Sequence, residues 1–166
     1  VNPGIELLLR QQFPSLFQDG FEQTSPDDPI YNCIAWAAGD TTNWWWPGIS
    51  YWPPGVPEQE TLAAFIAAYG GIGYEPCADA ALEFAFERVV IYSLAGVPTH
   101  AARQLDDGAW TSKLGEFWDI KHTTPGGVEG PVYGQASQYL RRRLSPERAS
   151  VRLRRWAHAW YARHAP

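Results

Sequence analysis

Apolar positions recur along this chain in two rhythms, and together they predict the order of its elements. Ile5, Leu7, Leu8, Leu9 and Phe13 follow a helical spacing behind an Asn2 cap and Pro3, and Pro14 closes the run. Ile34, Ala35, Trp36, Ala37 and Ala38 form a compact apolar block that Gly39 can stop, the pattern of a short buried helix. Leu62, Phe65, Ile66 and Tyr69 resume the helical spacing after Pro57-Glu58-Gln59-Glu60-Thr61, which places acids in the expected first turn. The pattern then changes. Arg88-Val89-Val90-Ile91-Tyr92-Ser93 is β-branched and aromatic and reads as a central strand. Extended segments at 99–105 and 109–114 flank Asp106-Asp107-Gly108, a strong hairpin signal. Trp118 to His122 adds a short strand, and Tyr74 to Cys77 a short extended segment. Residues 14–30 and 123–134 are broken by Gly and Pro and read as loops. A last helix is expected from Pro146 to His164.

Helices first and an antiparallel meander afterwards predict an α+β fold, with N-terminal helices packed on one side of a small antiparallel sheet. Residues 1–136 form this α+β domain and residues 137–166 a basic C-terminal helical extension. Charge sharpens that division. Residues 137–166 hold eight arginines against the single acid Glu147, so the preceding 136 residues carry all of the chain's net negative charge of −5 and more. The basic segment either docks on the acidic body or meets an anionic partner such as nucleic acid. No apolar run reaches the length of a membrane span. The first residues lack a basic stretch followed by an apolar core, which points to a cytoplasmic protein, with secretion by another route left open. Two cysteines do not make a disulfide framework, and reduced thiols are the simpler expectation.

Cys33 opens the short apolar helix. A thiol in a first helical turn lies beside unpaired backbone N–H groups and the positive end of the helix dipole, both of which favour the thiolate. A thiol nucleophile also needs a base, and the base an orienting partner. His100 sits on the first arm of the hairpin and Ser112 on the second. Ser112, the Lys113 carbonyl or His122 is expected to orient the imidazole. Asn32 and Tyr31 are the candidate oxyanion donors beside the Cys33 N–H. Between the cysteine helix and the next helix, Trp44-Trp45-Trp46-Pro47 and Tyr51-Trp52-Pro53-Pro54 form an aromatic loop that cannot be a regular helix. Trp44, Trp45, Trp46 and Trp52, with Trp110 on the hairpin, are the candidate substrate-binding surface. Cys33, Cys77, His100 and His122 are too scattered for a zinc site, and no phosphate or dinucleotide fingerprint is present. No metal or cofactor is expected.

A cysteine at a helix start, a histidine opening a strand and a polar residue across the hairpin resemble the papain-like cysteine hydrolases of the NlpC/P60 and CHAP type. Two departures stand out: Ser112 occupies the third position, and Asn32 precedes the cysteine. Tyr31-Asn32-Cys33-Ile34-Ala35-Trp36-Ala37, Trp46-Pro47, Thr99-His100-Ala101-Ala102-Arg103, Trp110-Thr111-Ser112-Lys113-Leu114-Gly115 and His122 are similar to an uncharacterised bacterial family of the DUF7689 type, over about residues 25–135. The first resemblance implies a papain-like fold and a hydrolase or acyl-transfer enzyme acting on an amide bond of a peptide or protein substrate. Peptidase, amidase and deamidase chemistry use the same apparatus. A non-catalytic peptide- or glycan-binding module built on the Trp44–Trp52 loop is the alternative.

Overall fold

The computed structural model describes residues 3–164, so the Asn2 cap lies outside the described residues. In chain order the elements are helices α1 (Pro3–Gln12) and α2 (Leu16–Asp19), strand β1 (Phe21–Gln23), helices α3 (Cys33–Ala38) and α4 (Leu62–Gly70), strands β2 (Glu75–Cys77), β3 (Phe86–Leu94), β4 (Val97–Gln104), β5 (Trp110–Lys113) and β6 (Asp119–His122), a 3₁₀ turn (Pro125–Val128), strand β7 (Gln135–Arg143) and helix α5 (Pro146–His164). The seven strands form one antiparallel sheet in the order β1-β6-β5-β4-β3-β7-β2. The fold is α+β.

Two apolar clusters hold the sheet, one on each face. Val89, Ile91, Ala101 and Leu140 pack with Ile34, Ala35, Phe65 and Ala68 of α3 and α4. Val90, Tyr92, Ala102, Trp110 and Ile120 pack with Leu9 and Leu16 of the N-terminal helices and Phe13 between them. Helices therefore cover both faces, not one as expected. The sequence of β3 requires this: Val89-Val90-Ile91-Tyr92 is apolar without alternation, and all four side chains are buried.

The expected extension from residue 137 is corrected. Residues 137–143 lie within β7, between β3 and β2, and the helix begins only at Pro146. The arginines of β7 are accommodated by acids on the adjoining strands. Arg142 Nη2 donates to Glu87 Oε2 at 2.6 Å, and Arg141 Nε to Glu75 Oε1 at 2.9 Å. α5 docks on the body. The Arg152 guanidinium is buried and donates to the carbonyls of Phe86 and Leu105, while Arg155 meets Asp106 at 3.3 Å. β1 falls in a segment expected to be loop, where its three residues pair with β6. Helix α4 starts one turn late, because Thr61 caps it and Glu58 and Glu60 precede it. Among the described residues no helix is long and apolar enough to cross a membrane.

Candidate functional site

The site is assembled at the start of α3. Asn32 is in an extended conformation and caps the helix: its Oδ1 accepts from Ala35 N at 3.1 Å. The same oxygen accepts from Trp45 N at 3.2 Å, and Nδ2 donates to Trp45 O at 2.8 Å. One side chain thus starts the helix and fastens the tryptophan loop to it. Tyr69 OH donates to Ile34 O at 2.8 Å and fixes the helix from α4.

Cys33 is therefore the first helical residue. The backbone N–H groups of Ala101, Ile34 and Cys33 face its sulfur. Burial outweighs them, and the thiol is pushed up to about 11. It is neutral at pH 7. A cleft of about 330 Å³ opens over it, lined by Asn32, Cys33, Trp44, Trp46, Ile49, Thr99, Gly115 and Tyr133.

The sheet supplies a second constellation. Tyr92 lies opposite His100, Ala102 opposite Ser112, and Trp110 opposite His122, so these side chains share one face. His100 Nε2 and Ser112 Oγ are 3.0 Å apart, Ser112 Oγ and His122 Nε2 are 2.9 Å apart, and His122 Nδ1 lies 2.7 Å from Thr124 O. All three side chains are buried. Burial pushes His100 well below 6.5 and His122 down to about 4, so both rings are neutral at pH 7. That fixes every proton in the chain. Thr124 O can only accept, so His122 Nδ1 carries the hydrogen and Nε2 is bare. Ser112 then donates to His122 and accepts from His100 Nε2–H. The remaining nitrogen, His100 Nδ1, is a bare lone pair, buried and without a hydrogen-bond partner.

No hydrogen bond joins Cys33 and His100: α3 packs on the Ala101 face of β4, the His100 ring lies on the other face with Ala102 and Ser112, and Tyr133 touches both. The Ala101 N–H that faces the sulfur belongs to the peptide unit directly after His100. Tyr133 links the two from the other side: it lines the cleft over Cys33 and stacks on the His100 ring at 3.9 Å and 10°. Thr99 Oγ1 donates to Tyr133 O at 2.6 Å. Gly134 lets the loop pass so close to β3 that a Cβ there would lie 2.0 Å from Ser93 O.

Several expected site residues serve other purposes. Tyr31 is no oxyanion donor, since its hydroxyl donates to Asp119 Oδ2 at 2.9 Å and its ring stacks on Trp36. The Asn32 Oδ1 is taken by Ala35 N and Trp45 N and one Nδ2 hydrogen by Trp45 O, so its second Nδ2 hydrogen and the backbone N–H of Cys33 are the donors of those considered that remain at the cleft. Trp45 and Trp52 are core residues, packed against Tyr69 and Phe65 respectively. Trp110 is buried in the cluster on the opposite face, next to Tyr139. Only Trp44 and Trp46 line the cleft. Thr99 and Tyr133 line it too, and no local pattern marks them beyond the Gly130 and Gly134 that bracket the tyrosine. Both cysteines are free.

An antiparallel α+β fold with a helix-start cysteine on one face of the sheet and a buried histidine–serine–histidine chain on the other is the class these features define. A family described as a domain of unknown function (DUF7689) matches residues 22–141, and the chain belongs to that family. The matched span runs from β1 into β7 and contains every residue of the site. No match was found among curated proteins or among solved structures.

Proposed function

We propose that this protein is a cysteine-dependent hydrolase or acyl-transfer enzyme acting on an amide bond, with Cys33 as nucleophile and His100 as base, on a papain-like plan. The observation that carries the reading is the bare, buried Nδ1 of His100, one peptide unit from the amide that faces the Cys33 sulfur. The hydrogen-bond chain through Ser112 and His122 to Thr124 O sets the tautomer that leaves this nitrogen free. Ser112 and His122 are thus positioning residues.

Both partners are neutral at rest, so the reaction runs by general-base catalysis rather than from a preformed ion pair. The sulfur adds to the carbonyl carbon as its proton passes to His100 Nδ1. The Cys33 N–H stabilises the resulting oxyanion. His100 then returns the proton to the leaving nitrogen as the C–N bond breaks, and a thioester remains on Cys33. Water, deprotonated by the same Nδ1, releases the acid and regenerates the thiol. Trp44 and Trp46 form the substrate wall.

An activated ester, p-nitrophenyl acetate, tests the reading. A burst of nitrophenolate is expected, with an acetyl mass increment on Cys33. His100→Ala is expected to lower the acylation rate by about 10²-fold or more. Acetylation elsewhere in the chain, or an unchanged burst in Cys33→Ala, overturns the assignment.

A further inference from the structure

A second cavity adjoins the cleft over Cys33. It encloses about 220 Å³ and is walled largely by carbon, chiefly from Leu8, Leu9, Phe13, Leu114, Trp118 and Val132. Gly115 and Tyr133 line both spaces, so the two are contiguous. Leu8, Phe117 and Val132 at the apolar cavity, and Ile49 at the cleft, are among the chain's exposed large apolar side chains. Exposed apolar groups along two adjoining cavities mark a binding surface. Asp27 is the one charged side chain in the lining. An apolar cavity of about 150 Å³ is already large enough to take benzene.

We infer that this cavity is the subsite for an uncharged apolar side chain, of leucine or phenylalanine size, next to the carbonyl that Cys33 attacks. The inference rests on the proposed thiol chemistry and adds the substrate class. Its occupant is set by three features. The carbon walls favour an apolar group, the volume admits a branched or aromatic one, and Asp27 repels a carboxylate. Tyr133 divides the two spaces, so a substrate lying across it places its carbonyl over Cys33 and its side chain among Leu9, Phe13 and Leu114.

The test uses chloromethyl ketones of N-acetylated glycine, leucine, phenylalanine, lysine and glutamate on the full chain carrying Cys77→Ser. The sulfur displaces chloride and forms a thioether, and the thiol proton is lost to His100. The rate of Cys33 modification is followed by mass spectrometry. The leucine and phenylalanine reagents are expected to react at least about tenfold faster than the glycine reagent, with glutamate slowest. Val132→Glu, at the exposed mouth, is expected to remove most of that preference. Equal rates across the series, with Cys33 still modified, overturn the subsite and leave the thiol chemistry standing. A lysine reagent that outpaces leucine overturns the apolar assignment in favour of Asp27. Failure of every reagent, and of iodoacetamide in the same protein, removes both the subsite and the nucleophile.

Discussion

The two cysteines of this chain are chemically alike and physically opposite. Cys77 lies on β2, one of the two edge strands, where it is partly exposed and Arg88 Nη1 approaches its sulfur at 3.2 Å. Burial raises its pKa and the Arg88 cation opposes the rise. Cys33 is buried more deeply, its thiol is pushed up to about 11, and it lies in a cleft walled by Trp44, Trp46 and Tyr133, the tyrosine that stacks on His100. Access and a nearby cation make a thiol open to any small electrophile. A fixed base and a shaped cleft make it selective for a carbonyl held in place. Simple alkylation and acyl transfer are therefore expected to report different cysteines, with iodoacetamide favouring Cys77 and acyl donors favouring Cys33.

The largest effect that separates the two is loss of acyl transfer. Cys33→Ala is expected to abolish nitrophenyl ester turnover above background, a fall of about 10³-fold or more. Cys77→Ala is expected to leave it within about twofold. Comparable losses in both variants would sink the distinction.

Removal of the hydroxyl between the histidines comes next. Ser112→Ala leaves His100 Nε2 and His122 Nε2 buried without their shared partner, at a cost of about 3 kcal/mol. The measurement is the denaturant midpoint with the slope unchanged. The same variant frees the tautomer of His100, so the acylation rate should fall as well. A stability loss with an unaltered pH–rate profile would show that Ser112 supports the fold and does not position the base.

Acidification probes the same pair without a mutation. Both imidazoles are depressed below 6.5 by burial, so the unfolded chain binds protons that the folded chain refuses. Stability is thus full above about pH 6.5 and declines as the pH falls towards the folded value, about 4 for His122. Between pH 7 and pH 5 the loss from His122 alone is about 2 kcal/mol. His100 adds to it. The depressed carboxylates, Glu87 among them, titrate below this window and do not confuse it. A denaturation midpoint that stays flat from pH 7 to pH 5 rules out two buried neutral histidines.

What the sequence disclosed follows from which contacts are local. The Asp106-Asp107-Gly108 turn brings β4 and β5 together, with Leu105 N donating to Ala109 O at 2.7 Å. Strand periodicity then puts His100, Ser112 and His122 on one face, so the Ser112–His100 contact was readable and the relay to Thr124 O was not. The cap was readable from Asn32, but its second duty depends on Trp45, thirteen residues away. That long-range bond takes one of the two Asn32 Nδ2 hydrogens and leaves the other. The same loop closure divided the tryptophans, sending Trp45 and Trp52 inward and leaving Trp44 and Trp46 at the cleft. β7 was hidden for a different reason. Arg141 and Arg142 read as a basic tail because their acids, Glu75 and Glu87, lie on strands more than fifty residues earlier. Tyr133 stacks on a histidine from a glycine-bracketed loop, and no local pattern marks such a contact.

The cap itself gives a smaller effect than either histidine experiment. Asn32→Ala is expected to cost about 1 to 2 kcal/mol, since it releases the Ala35 N–H and both bonds to Trp45. It should also loosen the tryptophan wall and so slow acylation of Cys33, while alkylation of Cys77 is unaffected. An equal change at both thiols would point to general unfolding and not to the cap.

Thr111→Val is the mildest substitution and asks what holds α3 in register with the sheet. Trp36 Nε1 donates to Thr111 Oγ1 at 3.1 Å, with the Arg103 guanidinium 5.2 Å from the Trp36 ring. Valine keeps the shape of threonine and removes the acceptor. Trp36 is only partly buried, so water can take over its N–H, and the expected cost is about 0.5 to 1 kcal/mol. The cap at Asn32 and the Tyr69 hydroxyl on Ile34 O remain to seat the first turn, so acylation of Cys33 should stay within about twofold of the parent. A fall in acylation far beyond the small stability loss would move control of the nucleophile from the cap to the β5 contact. In that case Cys33 owes its position to the sheet that also carries His100, and the two would shift together rather than independently.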